Sequence, residues 1–224
     1  MREKQEILKA RVSKTDAGKL YDRLAGVYDI WSHLTETHAR KRSLKLADIR
    51  DGQVILEVAV GTGLAFVEMV RENPHGRNLG IDISQGMLAK AERRLRLAGC
   101  SNYELLVGNA LDIPAEDHSF DVLLNNYLFD LLEESDWPTV LKEFHRVLKP
   151  NGKLVVVYMT FGEKLGSGIY QRLYRLSPSL MGGCRGIRLS GHLEAHGFDV
   201  KVREYVQQFF FPSEVIFALK TIPP

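Results

Sequence analysis

Hydrophobic residues from Gln53 onward fall into short runs that alternate with longer segments of helical periodicity. Five runs rich in β-branched and aliphatic residues predict buried strands at 54–58, 78–82, 103–107, 120–124 and 153–158. Strands that alternate with helices are typical of βαβ units, whose strands run parallel. Two further runs, at 200–206 and 213–219, predict closing strands, the second of them antiparallel. The pattern therefore predicts a doubly wound α/β fold with a mostly parallel, seven-stranded sheet.

The helical segments divide the chain further. One apolar helix face lies between the fourth and fifth strands and consists of Val140, Leu141, Phe144, Val147 and Leu148. Residues 149–152 predict a turn that ends this helix. Residues 1–50 are charged and rich in helix formers, which predicts an N-terminal helical region that either packs on the domain or covers a ligand as a lid. Residues 51–224 form the remaining domain, in which 161–188 interrupts the pattern as an insertion.

Composition excludes several classes of protein. Hydrophobic residues make up 45% and charged residues 26%, which are ordinary globular values. The net charge of +2 is too small to indicate a nucleic-acid binder. The two cysteines form neither a CxxC pair nor a metal-ligand cluster, so we expect no metal site and a reducing, cytoplasmic location. No apolar run is long enough for a spanning helix, so any membrane contact is expected to be peripheral.

A glycine-rich turn carries the first chemical signal. Gly61 and Gly63 follow the first predicted strand and lead directly into a helix. Such a turn allows a ligand to approach the backbone, and the helix N-terminus favours anionic groups. Asp82 ends the second strand, where a carboxylate can accept both hydroxyls of a ribose. The two features together predict a nucleoside-containing cofactor.

The identity of that cofactor depends on a third position. Nicotinamide-binding turns place a third glycine there, and this chain has Phe66. A bulky ring at this point opposes close helix packing around a pyrophosphate. A nicotinamide-dependent oxidoreductase therefore stays an alternative, but a weaker one.

Five ordered motifs give the chain a resemblance to class I methyltransferases of the ubiquinone and menaquinone biosynthesis type. The motifs are the glycine loop, 80–88, 108–110, 120–122 and 146–154. The resemblance implies a Rossmann-like fold, S-adenosylmethionine as cofactor, and transfer of a methyl group to a small-molecule or lipid-like acceptor. The cofactor-binding residues that it implies are Tyr21, Glu57, Gly61, Thr62, Gly63, Asp82, Ile83, Met87, Asn109, Ala110, Asn125 and Asn126, with Asn126 favoured over Asn125.

Those implied roles differ along the cofactor. Thr62 and the glycines flank the methionine part, and Glu57 orients the loop and the cofactor ammonium. Asp82 holds the ribose, whereas Ile83 and Met87 sandwich the adenine. Asn109 and Ala110 contact the adenine edge by the same resemblance, although a turn-forming role for Asn109 stays open.

The chain departs from the family just after the fourth strand. Quinone-methylating members resemble one another in an Arg-Asn pair there, and this chain reads Tyr127-Leu128-Phe129-Asp130-Leu131. The acceptor is therefore open, and so is a partner protein that binds the cofactor without catalysis. If the acceptor must lose a proton, the candidate bases are Tyr28, His33, Tyr127, Asp130 and His192, each of which also has a structural interpretation.

The insertion 161–188 combines basic and apolar residues. Its basic residues are Lys164, Arg172, Arg175, Arg185 and Arg188, and no acidic residue lies between Glu163 and Glu194. This pattern predicts a cap over the acceptor pocket that favours an anionic or membrane-associated acceptor. A solvated loop that packs its apolar residues on the sheet is an equal alternative.

Overall fold

The computed structural model describes residues 35–161, 185–209 and 211–221. Its elements in chain order are α1 (Thr37–Ala47), β1 (Val54–Val58), α2 (Phe66–Glu72), β2 (Arg77–Asp82), α3 (Gln85–Leu97), β3 (Glu104–Val107), β4 (Phe120–Asn126), a 3-10 turn (Glu134–Asp136), α4 (Trp137–Val147), β5 (Leu148–Met159), α5 (Ser190–Ala195), β6 (Phe198–Gln208) and β7 (Phe211–Lys220). The candidates Tyr21, Tyr28 and His33 lie outside the described residues, as do most of the N-terminal region and of the insertion.

All seven strands form one sheet in the order β3-β2-β1-β4-β5-β7-β6. The first five run parallel to one another, and β7 pairs antiparallel with both β5 and β6. The predicted sheet and the antiparallel last strand are therefore confirmed. The strand order reverses between β1 and β4, which creates a crevice beyond their carboxyl ends.

Helices cover both faces of the sheet and produce two apolar cores. On one face, Leu44 of α1, Met69 of α2 and Leu95 of α3 pack against the central strands. On the other face, Phe144 of α4 and Leu193 of α5 pack against the same strands. Because both faces are covered, the central strands are apolar on both sides, as their continuous hydrophobic runs predict.

The predicted turn at 149–152 is not an element boundary. Strand β5 begins at Leu148, which pairs with Phe120 before the register shifts and Lys153 pairs with Val122. Residues 149–152 therefore bulge from the strand instead of separating it from α4. The physical reason is that Leu148 and Phe120 are both buried, so pairing starts before the chain turns.

Candidate functional site

The loop after β1 contains two glycines with different surroundings. Gly61 has φ +57°, and a Cβ placed there would meet no atom within 4 Å. Gly63 has φ +79°, and its Cβ would lie 2.9 Å from the Cβ of Ala91 in α3. Gly61 thus borders open space that a ligand can approach, whereas Gly63 permits α3 to pack against the loop.

Side chains from β2 and α3 fix this loop. The carboxylate of Asp82 accepts hydrogen bonds from the backbone N–H of Gly61 at 2.8 Å and of Ser84 at 2.9 Å. The guanidinium of Arg94 donates to the carbonyl oxygen of Thr62 and, at 2.9 Å, to its hydroxyl oxygen. The Thr62 side chain is buried, so its hydroxyl serves this contact. Sequence reasoning missed Arg94, because nothing in the charged surface of α3 distinguishes it.

A cavity opens beside the loop at the carboxyl edge of the sheet. It is lined by residues from α1, from the ends of β1 and β4, and from the loop itself, namely Glu36, Arg40, Glu57, Ala59, Val60, Gly61, Thr62, Leu64, Ala65, Asn126 and Tyr127. Five of the predicted site residues meet there. Glu36 and Arg40 were not predicted, because they line the cavity from a segment that is distant in sequence from β4 and leaves no local pattern.

Glu57 is one of two buried acidic residues in the cavity wall, with 2% of its surface exposed, and Glu36 is the other. One carboxyl oxygen accepts a hydrogen bond from the Asn126 amide at 3.2 Å, and the other has no hydrogen-bond partner. Burial raises the pKa of Glu57 to about 8, while the Asn126 bond and the nearby Arg40 charge oppose that rise. A cationic ligand bound beside Glu57 would therefore lower the pKa of this carboxyl group and favour its ionised form.

The two asparagines at the end of β4 point to different places. The Asn126 amide lies in the cavity wall, and its oxygen accepts from the Ser43 hydroxyl of α1 at 3.3 Å. Asn125 is fully buried and donates to the carbonyl of Val58 at 2.9 Å. This placement favours Asn126 as the ligand contact, as the sequence does, and gives Asn125 a role in joining β4 to β1.

Tyr127 follows β4 in a strained backbone conformation, with φ 56°. Its hydroxyl lies 2.7 Å from the Ser213 hydroxyl of β7, and its ring packs edge-on against Phe211. These contacts fix the ring in the wall of the cavity. Non-glycine residues with positive φ cluster at functional sites, which agrees with this position.

Apolar side chains are exposed beyond β2 and β3. Ile83 is 52% exposed and Val107 is 55% exposed, both next to the strand ends. Exposed aliphatic groups at this edge can cover the face of a base. Met87 is only 2% exposed, so its sulfur lies within the protein rather than on the surface. Its predicted contact with adenine stays a prediction, as does that of Ile83.

Asn109 and Ala110 lie beyond β3 and are outside the lining of the cavity. The side-chain oxygen of Asn109 accepts from the N–H of Leu111 at 3.0 Å, and its carbonyl accepts from Asp112. This is the turn-forming role that the sequence left open. Ala110 is half-buried and packs at the edge of the second core.

The other described base candidates do not line the cavity. Asp130 is fully buried. The His192 ring of α5 packs edge-on against Trp137 at 5.2 Å and lies 3.9 Å from Glu134. Phe66 is fully buried, and its ring would lie 3.2 Å from a Cβ at Gly80, so this residue packs α2 closely on β2.

Sequence comparison relates the chain to methyltransferases. Residues 55–152 match the methyltransferase domain family. The demethylmenaquinone methyltransferase of Bacillus cytotoxicus is 32% identical over 143 residues, which are 61% of this chain and 59% of that protein. The enzyme of the same name from Listeria welshimeri is 35% identical over 138 residues, 61% of this chain and 56% of that protein. The match thus spans less than three fifths of these relatives' length.

Structural comparison finds the same fold in proteins of different activity. The [4+2]-cyclase SpnF superposes with a TM-score of 0.75 at 18% identity, over 98% of this chain and 100% of that chain. Geranyl diphosphate methyltransferase, solved in complex with S-adenosylmethionine, gives a TM-score of 0.68 at 16% identity, over 83% and 86% of the chains. At these identities the likeness concerns the fold alone. Within the described residues, no helix is long and apolar enough to span a membrane.

Proposed function

We propose that this chain is a class I S-adenosylmethionine-dependent methyltransferase that moves the cofactor's methyl group to a small-molecule acceptor. The observation that carries the proposal is a buried carboxyl group and an arginine in the same cavity wall. Glu57 presents a buried carboxyl oxygen without a hydrogen-bond partner, and Arg40 lies in the same wall. The amino-acid end of S-adenosylmethionine carries an ammonium and a carboxylate, which these two side chains complement.

The rest of the cofactor fits the same edge of the sheet. Gly61 leaves space for the chain of the ligand, because nothing lies within 4 Å of where its Cβ would be. Asp82, bonded to the Gly61 N–H, lies at the position where a ribose would follow. The exposed aliphatic groups of Ile83 and Val107 then supply apolar contacts for the adenine. We assign these residues to the cofactor in this order.

The protein's contribution to methyl transfer is alignment and exclusion of water. Bound S-adenosylmethionine supplies a methyl group that is already activated by a sulfonium. Asn126 and Glu57 would hold the amino-acid end, in the cavity whose wall Tyr127 also forms. The hydroxyl pair of Tyr127 and Ser213 fixes that wall at 2.7 Å. Tyr127 is therefore the described base candidate that we place next to the acceptor.

The identity of the acceptor is part of the proposal. The names of the two relatives make a quinone-type ring the first acceptor to test. The chain has Tyr127-Leu128 in the region where quinone-methylating members resemble one another in an Arg-Asn pair. The acceptor series therefore includes phenols, amines and thiols beside quinols.

Incubation with methyl-labelled S-adenosylmethionine tests the transfer step directly. We expect label in at least one class of acceptor, together with formation of S-adenosylhomocysteine. The Asp82→Ala variant serves as the matched control and should show much less transfer at the same cofactor concentration. Cofactor binding without transfer to any class would instead favour a cyclase-like or non-catalytic protein.

A further inference from the structure

Arg185 is a buried cation on the same edge of the sheet as the cavity. It is only 2% exposed, and one guanidinium nitrogen donates to the carbonyl oxygen of Leu132. Two residues later, Ile187 pairs with Thr160 just beyond the end of β5. The sequence grouped Arg185 with residues that could meet lipid headgroups, and its burial removes it from such a surface.

Few interactions of the described residues balance the positive charge of the Arg185 guanidinium. Its Nε and Nη1 atoms are buried and have no hydrogen-bond partner. Within the part of the chain that the structure describes, no carboxylate forms an ion pair with Arg185. Burying an unpaired charge and several unsatisfied donors is costly, so the guanidinium favours an anion that the described side chains do not supply.

We propose that Arg185 binds an oxyanion, a carboxylate or phosphate, on the methyl acceptor. This inference rests on the proposed function for its ligand. Nε and Nη1 each form an edge of the guanidinium plane together with Nη2, and such an edge can bind two oxygens of a carboxylate or phosphate side by side. In this protein Arg42 and Arg146 bind carboxylates through Nε and Nη2 in this way. Arg185 is thus a specificity-determining residue that selects anionic acceptors.

The position of Arg185 connects the oxyanion to the methyl-transfer site. Tyr127 lines the cavity, and the loop that begins there reaches Leu132, whose carbonyl accepts from Arg185. Strand β5, which carries Thr160 at its end, is the direct neighbour of β4 in the sheet. An acceptor that reaches the cavity past this loop would therefore carry its anionic group toward Arg185.

Arg188 provides a matched control. It lies in the same short segment, but its side chain is exposed and its guanidinium covers the Phe161 ring at 5.5 Å. Replacing it by glutamine removes the same charge from the same segment. If any positive charge in this segment promoted anion binding, both variants would lose the effect of the anion. If Arg185 itself binds the anion, only Arg185→Gln would lose it.

Thermal denaturation with two anion probes tests the proposal. The probes are inorganic phosphate and 4-hydroxybenzoate, with phenol as the neutral counterpart and chloride used to keep the ionic strength constant. S-adenosylhomocysteine is present throughout. We expect at least one anion to raise the melting temperature of the wild type and of Arg188→Gln by a few degrees in a saturable way. Phenol should not, and Arg185→Gln should lose the anion effect.

Two results would overturn the inference: no anion-specific rise in the wild type, or an equal rise in Arg185→Gln. If Arg185→Gln does not fold, Arg185→Lys replaces it, and we expect a smaller anion effect because lysine lacks the planar pair of donors. Titration of each variant with S-adenosylhomocysteine is read separately. If the wild type does not bind S-adenosylhomocysteine, the proposed function is contradicted, independently of the results with the anions.

Discussion

The free energy of unfolding of the apo protein should fall by up to about 4 kcal/mol between about pH 5 and pH 8, because Glu57 is buried. Burial raises the pKa of this carboxyl from 4.5 to about 8 in the folded protein. Between those values the unfolded chain has released the proton and the folded protein still holds it. Stability is therefore fully present below about pH 4.5, is lost as the pH rises, and levels off above about pH 8.

Chemical denaturation of the wild type and of Glu57→Gln at several pH values measures this effect. The glutamine stays neutral, so the difference between the two proteins isolates Glu57 from other titrating groups. His145 is one such group, because burial lowers its pKa and gives the opposite trend with pH. Parallel curves for the two proteins would show that Glu57 does not titrate in this range.

The second large effect is expected on the cofactor. Asp82→Ala should weaken binding of S-adenosylhomocysteine by about 10- to 100-fold, roughly 1.5–3 kcal/mol, the range for lost hydrogen bonds to a charged group. The domain should remain folded, because the carboxylate contacts the loop backbone rather than the apolar core. Calorimetric titration gives the affinity, and a melting curve gives the stability.

Asp82 has two roles that a single variant does not separate. It accepts from the Gly61 N–H, so its loss also loosens the glycine loop. Arg94→Gln is the matched control, since Arg94 fixes the same loop through Thr62 and is not assigned to the ribose. A larger loss of affinity in Asp82→Ala than in Arg94→Gln supports the ribose contact. Equal losses would make Asp82 a loop-positioning residue.

The sequence predicted the sheet well because its central strands are buried on both faces. The run 54–58 coincides with β1, and the run 200–206 lies inside the longer β6. The ends of β5 were harder to predict. Residues 149–152 have the composition of a turn, yet the pairing of Leu148 with Phe120 extends the strand beyond them. The composition of 149–152 indicates the bend. Only the pairing with β4 shows that the strand begins before the bend.

The candidate site was predictable where it depends on local geometry. The glycine loop and Asp82 lie within two neighbouring βα units, so their spacing brings them together. Arg40 reaches the cavity from a helix that precedes the sheet, and Arg185 lies far along the chain. Both are arginines in charged segments, where the pattern does not distinguish an arginine that lines a site from a solvated one. Their surroundings depend on contacts between distant segments.

We assign the cavity beside Gly61 to S-adenosylmethionine. Calorimetric titration of the full chain with S-adenosylhomocysteine, and separately with NADH, tests this assignment most directly. We expect saturable binding of one S-adenosylhomocysteine per chain and no measurable binding of NADH, since Phe66 replaces the third glycine of a dinucleotide-binding turn. Tighter binding of NADH than of S-adenosylhomocysteine would contradict it.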